Sequence, residues 1–149
     1  MNAGMGCLSV SLNLSGRESE QRLEVCTAAF HEAELDRIDE IRLEPSLMER
    51  PPPDVEAAVQ ALLRDKASRW GRVKIRGPSR SVMEASLRAC PYLKSVALFT
   101  EGRMLVGVAD AADTIDFTVK ADRWPAVRRQ LIQVLGSELR VRTDELRDC

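Results

Sequence analysis

At 149 residues, with 44% hydrophobic and 30% charged side chains, the chain has the length of one domain and an ordinary globular composition. Its 22 basic and 23 acidic residues leave a formal charge of -1, which excludes a protein whose main work is gripping duplex DNA or an anionic membrane by massed Lys and Arg. Cys7, Cys26, Cys90 and Cys149 match neither a zinc-knuckle nor a thioredoxin-type spacing. They are expected as free thiols in a reducing, intracellular and cytoplasmic setting, with no metal and no cofactor.

The stretch Met1 to Ser9 lacks the basic start and the apolar core of a secretory signal. Met5-Gly6-Cys7 fails the lipidation pattern, because Val10 stands where a hydroxyl is required. The first strand follows: Leu8, Val10, Leu12 and Leu14 alternate with Ser9, Ser11 and Asn13, so one face is buried and the other is wet. Ser15 and Glu18 form a capping box for a helix whose inner side carries Leu23, Cys26, Phe30 and Ala33. A second strand covers Asp39 to Glu44, with Ile41 and Leu43 inward, and Pro45 ends it. After a stiff loop through Pro51-Pro52-Pro53, Asp54 opens a helix with the stripe Val55, Val59, Leu62, Leu63 and Trp70, stopped by Gly71. The third strand, Arg72 to Arg76, points Val73 and Ile75 inward.

Gly77-Pro78-Ser79-Arg80 is a tight connection to a short helix capped by Ser81 and Glu84, containing Val82, Leu87 and Cys90. The fourth strand is Leu93 to Phe99, followed by a hairpin turn with Gly102 at a position of positive φ. Met104 to Val108 returns as the fifth strand. The longest apolar stretch, Met104 to Ala109, is far too short to span a bilayer. Ile115, Phe117 and Val119 mark the sixth strand. Asp122 caps a last helix, with Pro125 in its first turn and Val127, Leu131, Val134 and Leu135 on its stripe. Gly136 ends it, Leu139 and Val141 make a short final strand, and 143–149 is a frayed tail.

This order, βαβαβα then ββ then αβ, predicts an α/β fold over 1–149. The expected architecture is a two-layer sandwich on a mixed sheet, with three parallel N-terminal βα units, antiparallel hairpins and a C-terminal helix. Uneven spacing and the hairpin at Gly102 argue against a leucine-rich solenoid.

The first three strands each show a polar face: Ser9, Ser11 and Asn13; Glu40, Arg42 and Glu44; Arg72, Lys74 and Arg76. A sheet covered on both sides has strands that are apolar throughout, so one side is expected to stay open. If strands two and three are neighbours, their opposite charges can pair across the ladder. The leading expectation is a non-catalytic interaction or regulatory domain, engaging a protein partner or a second copy of the chain through the open charged face at Arg42, Arg72, Lys74 and Arg76 or through the exposed hairpins. No aromatic residue lies on those polar faces to stack bases, which disfavours nucleic acid.

The alternative is a phosphate-type ligand, with or without catalysis, held where strands meet helix starts at Ser15, Arg17, Arg80 and Ser81. His31 is the only imidazole, and it would need Cys26 or Ser15 close in space to act as a base. Asp110, Asp113 and Asp116 crowd one turn without the spacing of a calcium loop.

Overall fold

The alternation of Leu8, Val10, Leu12 and Leu14 becomes strand β1 (Cys7–Asn13) and the residue after it, with Val10, Leu12 and Leu14 almost wholly removed from solvent. The computed structural model describes residues 6–48, 50–63, 72–137 and 139–146. After β1 come α1 (Ser19–Glu32), β2 (Glu40–Leu47), α2 (Pro53–Leu63), β3 (Val73–Arg76) and α3 (Arg80–Ala89). Then follow β4 (Leu93–Thr100), β5 (Arg103–Ala109), β6 (Thr114–Lys120), α4 (Trp124–Leu135) and β7 (Val141–Leu146).

The strands form one seven-stranded sheet in the order β3-β2-β4-β5-β6-β1-β7. Every adjacent pair in it is antiparallel. One face supplies Val10, Leu12, Ile41, Leu43, Val73, Ile75, Val96, Leu98, Val106, Val108, Ile115 and Phe117 to a single hydrophobic cluster. The same cluster takes in Val25, Cys26 and Phe30 of α1, Val55, Val59 and Leu62 of α2, Met83 and Ala89 of α3, and Val127, Leu131 and Leu135 of α4.

The mixed sheet with parallel N-terminal units is not what forms. Helices α1, α3 and α4 do join strands that run in one direction, but a partner is inserted each time. β2 lies between β3 and β4, β1 lies between β6 and β7, and β4, β5 and β6 all lie between β2 and β1. Periodicity along a strand fixes which residues are buried and says nothing about which strand lies beside it.

Several local expectations also move. Pro45 does not end β2; the strand continues to Leu47 through a register shift between Glu44 and Leu47, a place where a missing N–H is tolerated. Helix α1 begins after Glu18, which shares the capping box with Gln21, and Ser15 stays in the preceding turn. Helix α3 is capped by Ser79, whose hydroxyl accepts from the Val82 N–H, not by Ser81. Arg123 stands at the N-cap of α4 in place of Asp122, and makes no side-chain cap there. Residues 143–146 are strand, and the rest of the expected tail lies outside the described residues, as do Trp70 and Gly71. Cys7 is disulfide-bonded, which corrects the expectation of free thiols at that position, while Cys26 and Cys90 are free and buried.

Gly102 performs its expected role. It follows Glu101 at φ 49 with its own φ of 76, and Thr100 pairs with Arg103, so β4 and β5 are joined by a two-residue turn of the primed kind.

Leu98 lies on a central strand with no exposed surface. Leu98→Ala is expected to cost about 2–5 kcal/mol by urea denaturation, whereas Lys74→Ala, on the exposed side of β3, is expected to stay within about 0.5 kcal/mol.

Candidate functional site

The residues that alternate with the core define a second face of the sheet. One register row crosses it as Lys74, Arg42, Ala97, Gly107, Asp116, Ser11 and Arg142, one from each strand. A neighbouring row runs Arg76, Glu40, Phe99 and Met104. The basic residues expected to bind a partner are therefore gathered at the β3-β2 end of one face.

Their electrostatics follow from the register. Glu40 faces Arg76 across the ladder at 3.7 Å and is also held by Arg42 at 2.7 Å. Glu44 is approached by Arg72 at 3.9 Å and Lys94 at 3.7 Å. Opposite charges do pair across β2 and β3, but Arg42 and Lys74 stand directly opposite as like charges. Arg42 turns from Lys74 toward Glu40, and its guanidinium carbon sits 3.9 Å from the centroid of the Phe99 ring. Among the described residues Arg42, Arg72, Lys74, Arg76 and Lys94 outnumber Glu40 and Glu44, so those side chains together leave an excess of positive charge.

The centre of the same face is apolar and built of small residues: Ala97, Gly107 and Ala109, bordered by Phe99 and Met104. Met104 is 46% exposed, and a Cβ placed on Gly107 would come within 2.9 Å of its Sδ. Glycine at 107 thus lets the thioether lie down across the sheet. At the β6-β1-β7 end the Ser11 hydroxyl donates to Asp116 Oδ1. An open cavity of about 510 Å³ there is lined by Asn13, Thr114, Arg140 and Arg142 besides that pair.

The residues of the alternative site are not brought together. Because β1 and β3 run in opposite directions, Ser15 and Arg17 lie at one end of the sheet and Arg80 and Ser81 at the other. Ser15 Oγ donates to Asp113 Oδ1 at 2.9 Å, and Ser15 and Arg17 line a cavity with Asn13, Leu135, Leu139 and Arg140. Ser81 lines a different cavity of about 490 Å³ between α2 and α3, with Ala58, Leu62, Gly77, Ser79 and Val82. The hydroxyls of Ser79 and Ser81 are 3.0 Å apart.

The remaining candidates take structural partners. His31 is exposed near the end of α1, whereas Cys26 is fully buried. Burial, followed by hydrogen bonding to Cys26 and the charge it would carry, pushes the Cys90 thiol well above its ordinary range, so the thiolate is suppressed. Among the described residues no three His, Cys, Asp or Glu side chains form a metal-binding group. Asp113 faces Arg22 at 3.7 Å, and Asp116 is taken by Ser11.

One arrangement carried no sequence signal. Asp110, Ala111 and Ala112 all have left-handed φ values, of 52, 56 and 64, without a glycine among them. Arg22 closes over this turn by donating to the Ala111 carbonyl at 3.0 Å and the Arg17 carbonyl at 3.0 Å. Alanine gives no hint of positive φ; only the environment imposes it.

No protein family model, curated protein or solved structure matches the chain. No helix among the described residues is long and apolar enough to cross a membrane.

Arg22→Met keeps the apolar stem and removes the donors. It is expected to lower unfolding free energy by about 1–3 kcal/mol, read by denaturant titration, because two carbonyls lose a charged partner.

Proposed function

We propose that the chain is a non-catalytic protein-interaction domain built as two layers, with helices on one side of the sheet and an acidic protein segment docking on the other. The observation that carries this reading is the apolar strip of Phe99, Met104, Gly107 and Ala97 beside a net positive ladder. An apolar centre supplies contact area, and the surrounding charges select the partner's sign and raise the rate of encounter. Among the described residues the carboxylates of this face are engaged by cations or by Ser11, which supports a binding role over a catalytic one. A cytoplasmic setting accords with the free thiols of Cys26 and Cys90, whereas the bond at Cys7 belongs to an oxidising one.

The combined change Arg72→Glu, Lys74→Glu and Arg76→Glu is expected to leave thermal unfolding nearly unchanged and to abolish capture of the native partner from lysate. Met104→Glu is expected to do the same through the apolar strip. Recovery of the same partner by both variants at wild-type yield overturns the reading.

A second reading, a phosphate-type ligand, is favoured by the cavity at the start of α3, where Ser79 and Ser81 adjoin apolar walls and Arg80 adds charge nearby. It predicts that inorganic phosphate raises the melting temperature and that Arg80→Ala removes the rise. An unchanged melting temperature through a phosphate titration counts against it.

A further inference from the structure

The two edges of the sheet are chemically unlike. β3 closes one side, and among the described residues no strand lies beyond β7 on the other. Two copies of one edge can extend a sheet only about a two-fold axis perpendicular to it. Such an axis keeps each residue on its own face, so it passes through a residue position and pairs residues of equal parity.

At β3 every such register sets cations against each other. An axis at Lys74 places that residue against itself, one at Ile75 places Lys74 against Arg76, and one at Val73 places Arg72 against Lys74. Like charges directly opposite are destabilising, and lysine is a common guard of exposed edges.

β7 behaves differently. Its sequence is Val141, Arg142, Thr143, Asp144, Glu145 and Leu146, in unbroken register with β1 and without Pro or Lys. An axis through Thr143 sets Arg142 opposite Asp144 of the second copy, twice, on the same face as Ser11, with threonine paired on threonine between them. Moving the axis to Arg142 or to Asp144 places like charges in self-contact, so the charge pattern selects one register. Within one chain Arg142 reaches Asp144 at 3.5 Å, with 80% and 60% of the two side chains exposed, so both are free to turn toward a neighbour. Pairing β7 onto β3 of another copy with Asp144 opposite Lys74, the central cation, would set Arg142 against Arg72 or Arg76, and would leave an open chain of molecules.

We infer that a second copy of this chain pairs antiparallel along β7, making a symmetric dimer with one continuous sheet. The backbone N–H and C=O groups of the edge supply the ladder, and the crossed Arg142–Asp144 pairs fix its register. This inference is independent of the docking reading, because the dimer uses an edge strand and the purified chain alone.

The test is molar mass by sedimentation across a dilution series. Wild type is expected to reach twice the 16.6 kDa of one chain. Arg142→Asp alone and Asp144→Arg alone are each expected to remain at the mass of one chain, with unchanged far-ultraviolet circular dichroism. Mixing the two variants in equal amounts is expected to restore the doubled mass, since each then meets opposite charges at both crossed positions, and the double exchange in one chain is expected to restore it too. Wild type at the mass of one chain throughout, single variants that still dimerise, or a mixture that stays at one chain overturns the inference.

Discussion

The structure depends on one hydrophobic cluster in which alternate residues of a long antiparallel sheet meet side chains from the four helices. Val10, Ile41, Val96, Leu98, Val106 and Ile115 have no exposed surface, and each buried aliphatic side chain of this kind contributes about 1.5–3 kcal/mol. Because these residues occupy alternate positions, their neighbours are directed to the other side. Glu40, Arg42, Lys74 and Arg76 stand only one residue from core positions on their strands. Placing them within the core would cost several kcal/mol for each unpaired charge. The division between the two faces is thus what makes the charge ladder possible at all.

The ladder itself contributes little to stability. Arg72 and Arg76 are largely exposed where they meet Glu44 and Glu40, and exposed pairs of this kind are typically worth about 0–1 kcal/mol. Its effect is geometric. Glu40, only 13% exposed, anchors Arg42, which lies over Phe99 and borders the apolar strip. Small residues at 97, 107 and 109 keep that strip low, and the thioether of Met104, a soft and adaptable side chain, lies across it. The face that carries Ser11 has Arg142 and Asp144, of opposite sign, on β7, where β3 at the other edge carries only cations.

The turn between β5 and β6 shows how a tertiary contact overrides local preference. Three residues in left-handed conformation would ordinarily call for glycine. Here the N–H groups of Asp110 and Ala111 donate to the Lys94 and Leu93 carbonyls, the Leu14 N–H donates to the Asp113 carbonyl, and Arg22 caps the far side. The turn therefore ties β4, β1 and α1 together at the sheet end where Ser15 and Arg17 lie, and the Ser15 hydroxyl is committed to Asp113.

Most elements, the inward residues of the strands and the polar character of the second face were legible in the sequence, because burial leaves a period of two in strands and of 3.6 in helices. Arg42, Arg72, Lys74 and Arg76 could be assigned to one surface on that basis alone. Strand order was beyond reach: a helical crossover looks the same in sequence whether its two strands become neighbours or admit a third between them. Only the tertiary structure decided that Ser15 and Arg17 lie at the opposite end of the sheet from Arg80 and Ser81, that Met104 lies over Gly107, and that Arg22 holds a left-handed turn. Each is a contact between residues distant along the chain or a conformation imposed by such contacts, and local periodicity carries no record of it.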